Sequence, residues 1–228
     1  QTDAETEETK AVATEAPEVT QEQAASDSGI SLPFAQTDEP DEPLAIEEMV
    51  LLNQGGIRVT ATGLSEDAWL GPEINLLIEN DTDLSVVVQA ENVAVNGAMV
   101  SSLLYCDVAA GMKANSAISF YSEDLSKAGI QTIRTVELKL VVYDSSNYDT
   151  IVQSERLTIT TNAAGKGEQT FDDSGLTVLD QNGLRFVLRS GPEVSIWGKD
   201  IGVFLENHTG KDIAVSLEGV SVNGFMVD

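Results

Sequence analysis

The strongest constraint on this chain is an internal repeat with a period of 127 residues. Residues 50–100 align with residues 177–227 without a gap, and 18 of the 51 aligned positions are identical. The densest block pairs VAVNGAMV, which starts at Val93, with VSVNGFMV, which starts at Val220. A gapless match of this length indicates that a whole domain is duplicated, so we expect the same fold twice.

The repeat period sets the domain boundaries. The first unit is predicted at residues 46–161, and a linker of small and polar residues at 162–173 leads to a second unit at 174–228. The second unit contains no counterpart of residues 102–161. A chain of about 55 residues buries only about 60% of its unfolded surface. We therefore expect the second unit to be incomplete: loosely ordered, packed on the first unit, or completed by strand exchange in a dimer.

The N-terminal segment, residues 1–45, has the composition of a disordered chain. Residues 1–48 contain 14 acidic residues, one basic residue and four of the six prolines. Burial of so few apolar side chains cannot offset the cost of ordering the backbone, which is roughly 1–2 kcal/mol per residue. The segment is predicted to be a disordered acidic tether that self-repulsion keeps extended.

The repeat units show the pattern of antiparallel β-strands. In RTVELKLVVYD, residues 134–144, every second residue from Val136 to Val142 is aliphatic, which is the period of a half-buried strand. Asn-Gly pairs, as at Asn96 and Asn182, supply the positive φ angles of tight hairpins. One short helix is predicted over residues 122–130, with Ser122 as its N-cap and a glycine at its end.

About eight short strands at regular spacing, nearly without helices, predict an all-β fold of two packed antiparallel sheets, with a barrel as the alternative. The pattern IEN-x-T/S, then VNGxMV, then DLxxxGI before VELKLVVYD resembles the immunoglobulin-like repeat domains of Gram-positive secreted lipoproteins of unknown function. The resemblance covers residues 46–161 and the partial copy at 174–228. It implies tandem immunoglobulin-like β-sandwiches, the second one incomplete, in an extracytoplasmic protein that is secreted or lipid-anchored at the cell surface. The resemblance implies membrane attachment only through a lipid anchor that lies outside the given sequence.

The net charge and the residue types present argue against several classes of partner and reaction. The net charge of −26 argues against nucleic acid and anionic membrane surfaces as partners. The lone cysteine, Cys106, cannot form an intramolecular disulfide and is predicted to be a buried small apolar residue. One histidine and no catalytic or phosphate-binding motif leave no arrangement for nucleophilic catalysis. We expect a non-enzymatic protein without a cofactor, which binds a protein or glycan at the cell surface or acts as a spacer.

A carbohydrate-binding accessory module is the first alternative function. Its candidate ligand-binding residues are Trp69 and Trp197, which precede the third strand of each unit and could stack on sugar rings. Tryptophan prefers burial with its N–H satisfied. The favoured interpretation is therefore that the two side chains plug the ends of the sandwiches.

Acidic residues suggest two further kinds of chemistry. Asp144, Asn147 and Asp149 in YDSSNYD are candidate calcium ligands, because Ca²⁺ takes oxygen ligands from flexible loops. The same residues are common in turns, where their side chains bond nearby backbone. A hydrolase that uses acidic residues is the second alternative function, and it requires two carboxylates in one cleft.

An Asn-x-Thr triplet recurs at the end of the third strand of each unit, at Asn80 and at Asn207. The triplet is an N-glycosylation acceptor. The favoured interpretation is a turn held by bonds between its side chains and the backbone.

Overall fold

A computed structural model describes residues 42–66, 68–195, 198–216 and 218–226. This part of the chain is all-β, with antiparallel sheets and one short helix, as the strand pattern predicts. In these residues no helix has the length and apolar character needed to cross a bilayer. Of the predicted tether at 1–45, only residues 42–45 lie within the described part.

The first unit contains two antiparallel sheets. One has the strand order β1-β2-β3-β8-β6, and the other has the order β10-β9-β4-β5, with β7 paired to β4 and β11 paired to β9. The elements are β1 Met49–Gln54, β2 Ile57–Ser65, β3 Glu73–Asn80, β4 Val86–Val95, β5 Ala98–Met99, β6 Ser102–Leu103, β7 Tyr105–Val108, β8 Lys113–Phe120, α1 Ser122–Lys127, β9 Thr135–Asp144, β10 Thr150–Gln153 and β11 Leu157–Thr160.

The two sheets share one aliphatic core, which makes the first unit a β-sandwich-like body. Ile74 and Ile78 of β3 belong to the same buried cluster as Val88 of β4 and Leu140 of β9. The alternation predicted for β9 is confirmed, because every second residue from Val136 to Val142 is fully buried. Each such side chain contributes roughly 1.5–3 kcal/mol through burial.

Asn80, at the end of β3, joins the two sheets and is fully buried. Its side-chain amide donates to the carbonyl oxygens of Val108, the last residue of β7 in the other sheet, and of Ala109, which follows it, at 3.0 and 3.1 Å. It also reaches the carbonyl of Leu84 at 2.8 Å, and its own oxygen accepts bonds from the N–H and hydroxyl of Thr82. The prediction of a turn held by side-chain to backbone bonds is confirmed.

The tight hairpin turns adopt the predicted backbone conformation. Asn96 has φ 50° and Gly97 has φ 87°, and Asn182 and Gly183 have φ 55° and 79°. Positive φ at both central residues gives a turn whose twist matches the flanking strands.

The helix forms where it was predicted but is capped differently. Its N-cap is Tyr121 in extended conformation, without a side-chain cap bond, so the prediction of Ser122 as the cap is wrong. Gly129, at φ 68°, ends the helix as predicted, and the N–H of Ile130 closes the last turn on the carbonyl of Leu125.

Contacts of the first unit begin inside the segment predicted as tether. The backbone N–H of Ala45 donates to the side-chain oxygen of Asn162 at 3.1 Å, and the Asn162 amide donates to the carbonyl of Pro43 at 3.0 Å. Ile46 forms a bridge with Thr161. The two ends of the first unit are therefore tied together.

The second unit contains a three-stranded antiparallel sheet, β12-β13-β14, and a separate two-stranded hairpin, β15-β16. The sheet is made of β12 Leu176–Gln181, β13 Leu184–Ser195 and β14 Gly198–Asn207, and the hairpin of β15 Ser221–Val222 and β16 Phe225–Met226.

The β12-β13-β14 sheet repeats the register of β1-β2-β3 at an offset of 127 residues. Leu179 pairs with Phe186 as Leu52 pairs with Val59, and the bulge between positions 50 and 52 recurs between 177 and 179. The triplet at Asn207 forms the same turn, with Thr209 donating to the Asn207 side-chain oxygen. The same local interactions therefore build both sheets.

The pair Asn80 and Asn207 tests how much the bridge between the sheets stabilises the first unit. Asn207 is exposed, and within the described chain its amide donates to the Lys211 carbonyl alone. We expect Asn80→Ala to lower the free energy of unfolding by about 2–4 kcal/mol, because buried carbonyls lose their donor. Asn207→Ala, the matched control, should cost about 1 kcal/mol or less. Urea unfolding followed by circular dichroism measures both, and equal losses would contradict the bridging role.

Candidate functional site

Trp69, the first predicted ligand-binding residue, lies outside the core. It sits between β2 and β3, and its side chain is 96% exposed, so the prediction that it plugs the sandwich is wrong. The chain at Gly71 packs directly against the backbone of Phe120, where a Cβ would lie 2.3 Å from the carbonyl oxygen. The Phe120 side chain is fully buried, and Trp69 is left at the surface. Trp197 lies outside the described residues.

The predicted calcium ligands form turns at the end of β9, where Asp144 lies, and in the loop to β10, where Asn147 and Asp149 lie. One carboxylate oxygen of Asp144 accepts bonds from the hydroxyl and N–H of Ser146, at 2.7 and 2.8 Å, and these bonds lower the pKa of Asp144. Asn147 and Asp149 bond each other through their side chains and the Asp149 N–H. Within the described ranges, no three His, Cys, Asp or Glu side chains are grouped as a metal site requires. Calcium binding stays a prediction.

This loop presents Tyr148, which the sequence did not single out. Tyr148 has φ 60°, a left-handed conformation that costs a residue with a Cβ roughly 1–2 kcal/mol. Its hydroxyl lies 2.8 Å from the hydroxyl of Tyr105, and its ring centroid lies 6.3 Å from that of Tyr143. The hydroxyl of Tyr143 in turn donates to Glu91 at 2.8 Å.

These three side chains, Tyr105, Tyr143 and Tyr148, form what we call the tyrosine cluster. Tyr105 pairs with Gln89 and Tyr143 pairs with Val87, so both lie on the face of β4 that points away from the core. Val87 is fully buried although it does not belong to the core between the sheets. The cluster therefore covers an apolar patch on the outer face, while Tyr105 and Tyr148 stay half exposed.

Hydrogen bonds raise the pKa values of two hydroxyls of the cluster, those of Tyr105 and Tyr143. The bond to Tyr148, burial and the nearby Asp107 carboxylate raise the pKa of Tyr105 to about 12. The bond to Glu91 raises the pKa of Tyr143. The cluster offers aromatic surface and hydroxyl groups, which suit binding through stacking and hydrogen bonds.

Two carboxylates at matching repeat positions and the lone cysteine are held by local contacts. Glu79 and Glu206, which occupy matching positions in the repeat, each pair with an arginine on the adjacent strand, Arg58 at 3.7 Å and Arg185 at 2.9 Å. Lys113 also bonds Glu79, and this bond is the main reason that the pKa of Glu79 is lowered. Cys106 is half-buried and packs against the core, so it is less buried than predicted.

A shallow open depression of about 310 Å³ lies beside α1, and Pro72, which precedes β3, completes its lining. Its lining mixes apolar and polar side chains, namely Pro72, Ser122, Leu125, Ser126, Ile130 and Gln131.

No family model, curated protein or solved structure matches this chain. The resemblance to immunoglobulin-like repeat domains therefore stays a prediction.

The hydroxyl bond inside the tyrosine cluster is open to a direct test. Tyr148→Phe should lower the pKa of Tyr105 from about 12 towards its ordinary value of 10.0, because that bond is the main cause of the shift. The ring carbon shifts of Tyr105, followed by NMR against pH, measure this change, with circular dichroism checking that the chain stays folded. Tyr143→Phe is the control, since Tyr143 bonds Glu91 instead. If Tyr105 titrates alike in both variants, the hydroxyl pair is not formed.

Proposed function

We propose that this protein is a non-enzymatic extracytoplasmic protein of tandem immunoglobulin-like modules that binds a partner at the surface of a Gram-positive bacterium, where it is secreted or lipid-anchored. The observation that carries the proposal is the tyrosine cluster. It concentrates three of the four tyrosines of the chain on one outer sheet face.

The strand order of the first unit supports an immunoglobulin-like module. Strands β2, β3 and β8 lie in one sheet, and β7, β4, β9 and the β10–β11 edge lie in the other. The chain crosses between the sheets after β3, β5, β6, β7 and β8, and the crossings after β3 and after β8 match the connectivity of such sandwiches. The shared register of β1-β2-β3 and β12-β13-β14 supports a second module of the same kind.

Three properties of the tyrosine cluster favour a binding role. Tyrosine is enriched in protein interfaces because it combines apolar area with a hydrogen-bonding end. The bonds from Tyr105 to Tyr148 and from Tyr143 to Glu91 hold the rings before any partner arrives, which reduces the entropy cost of binding. Strained backbone, as at Tyr148, is concentrated at functional sites.

Binding of the fluorescently labelled chain to intact Gram-positive cells, measured by flow cytometry, tests this function. We expect the double variant Tyr105→Ser and Tyr148→Ser to bind at least tenfold more weakly, since each half-exposed ring of an interface contributes on the order of 1 kcal/mol or more. Tyr121→Ser is the matched control, because Tyr121 is the tyrosine outside the cluster. Equal binding by the double variant would remove the cluster from the function.

The exposure of Trp69 favours a second candidate, binding of a carbohydrate. An exposed indole can stack on a sugar ring, and a separate depression beside α1 is lined by Ser122, Ser126 and Gln131, which carry hydrogen-bonding groups. Because it is so exposed, Trp69 is replaceable without loss of core packing.

A glycan array tests this second candidate. We expect Trp69→Ala to abolish the glycan signal and Trp69→Phe to retain part of it, since a phenyl ring also stacks. Circular dichroism should show the same thermal unfolding for both variants and the unmodified chain. An array without signal for the unmodified chain, or a signal that survives Trp69→Ala, would eliminate this candidate.

A further inference from the structure

The linker between the two units, residues 162–173, is bonded to folded structure on both sides. Asn162 closes the end of the first unit, and the N–H of Lys166 bonds the carbonyl of Ala163 at 3.0 Å. The side chain of Arg134, which precedes β9, donates to the carbonyl of Lys166 at 2.9 Å. The first half of the linker therefore lies against the first unit.

Gln169 fastens the linker to two further loops of the first unit. Its side-chain oxygen accepts a bond from the Asn96 amide at 3.0 Å, and its own amide donates to the carbonyl of Gly129 at 3.1 Å. Asn96 lies in the turn after β4, where its amide also donates to the carbonyl of Thr132 at 2.8 Å. Gln169 is half-buried, so these bonds are partly shielded from competing water.

The last two residues of the linker are bonded to the second unit by ion pairs. The Asp173 carboxylate lies 2.8 Å from the guanidinium of Arg185, and Asp172 pairs with Arg189. Both arginines belong to β13, the central strand of the β12-β13-β14 sheet. The linker is therefore attached to the second unit at its end, as Gln169 attaches it to the first.

Backbone packing reinforces these ion pairs. Their four side chains are 28–56% exposed, and exposed pairs hold weakly alone because water and salt screen them. Two residues after Asp173, the chain at Gly175 has φ 146° and lies so close to β13 that a Cβ would overlap the carbonyl oxygen of Leu188. The end of the linker is thus joined to the second unit by side chains and by backbone.

The two sets of contacts lie close together along the chain. Only Thr170 and Phe171 separate Gln169 from Asp172, and three residue steps span at most about 10 Å. Phe171 is itself half-buried. Such a short connection leaves the second unit little freedom to swing while both sets of contacts are made.

We propose that residues 166–173, which we call the strap, hold the two units at a fixed relative position. Gln169 is the attachment to the first unit, and Asp172 and Asp173 are the attachment to the second. Modules joined by a flexible linker move independently by default, and the strap prevents this. The strap does not depend on the proposed binding function.

The strap and the tyrosine cluster lie at opposite ends of β4. Asn96 follows the last residue of β4, whereas Val87 and Gln89, which pair with Tyr143 and Tyr105, lie near its first residue. Seven to nine residues of strand correspond to roughly 20–30 Å. The strap therefore attaches the second unit at the end of the first unit that is remote from the cluster.

Amide nitrogen relaxation of the full chain, measured by NMR, tests whether the units move together. We expect the amides of β12, β13 and β14 to report the same rotational correlation time as those of β2, β3 and β9. Asp172→Asn combined with Asp173→Asn should shorten the correlation time of the second unit alone. Both substitutions reduce the negative charge of the chain, so repulsion between the units cannot cause that change. Glu168→Gln, an exposed carboxylate of the same strap, is the matched control.

The attachment to the first unit is tested by an isosteric substitution. Gln169→Glu replaces the amide that donates to the carbonyls of Gly129 and Thr170 with an oxygen that repels them. We expect it to shorten the correlation time of the second unit as well, although it leaves every ion pair of the strap in place. Gln131→Glu adds the same charge at an exposed glutamine and should change nothing.

Two results would overturn the proposal. Different correlation times for the two units of the unmodified chain would show that they already move independently. A shared correlation time that survives either the double asparagine substitution or Gln169→Glu would show that the strap does not hold the units. Dispersed amide signals from β12-β13-β14 in each variant separate the release of the second unit from its unfolding.

Discussion

The interaction on which the structure depends is the burial of one aliphatic sheet face under another. In the first unit, β4 and β9 supply the layer that covers β2 and β3, and the paired faces bury Val59, Ile78, Val88 and Leu140 together. Asn80 then connects the layers with hydrogen bonds from β3 to the end of β7. A sheet cannot bury its own faces and needs another layer to cover them. The burial of each side chain therefore depends on which face of its sheet packs against a second sheet.

The two units show the same local structure with and without that layer. The Gln-Gly-Gly and Gln-Asn-Gly hairpins, the bulge in the first strand and the Asn-x-Thr turn recur at an offset of 127 residues, because each depends on residues a few positions apart. Burial does not recur, since it depends on strands distant in sequence. Ile78 is fully buried, whereas Leu205 at the matching position is 39% exposed. The local register is therefore the same whether or not the sheet face is buried.

This division between local and distant interactions explains what the sequence could predict. The alternation from Val136 to Val142 and the positive φ of Asn96 depend on neighbouring residues, so strands and turns were predictable. The exposure of Trp69 was not predicted, because the path of its loop depends on contacts with residues distant in sequence, such as the close approach of Gly71 to Phe120. The tyrosine cluster was missed for the same reason, since register brings Tyr105 and Tyr143 to one face and a loop adds Tyr148. The sequence contained one clue to the cluster. Tyr143, which precedes Asp144 on β9, falls at an outward position in the alternation of that strand.

The loop between β9 and β10 shows how turn chemistry produces a surface feature. Asp144 and Asn147 use their side-chain oxygens to bond N–H groups two residues ahead, and these bonds reverse the chain within a few residues. The reversal leaves Tyr148 in a left-handed conformation that its ring and hydroxyl contacts stabilise. The residues that the sequence offered as calcium ligands thus have a defined structural role, which is to aim an aromatic ring at the outer sheet face. In a module whose inner faces are closed by packing, the outer face is where binding residues can be placed without disturbing the core.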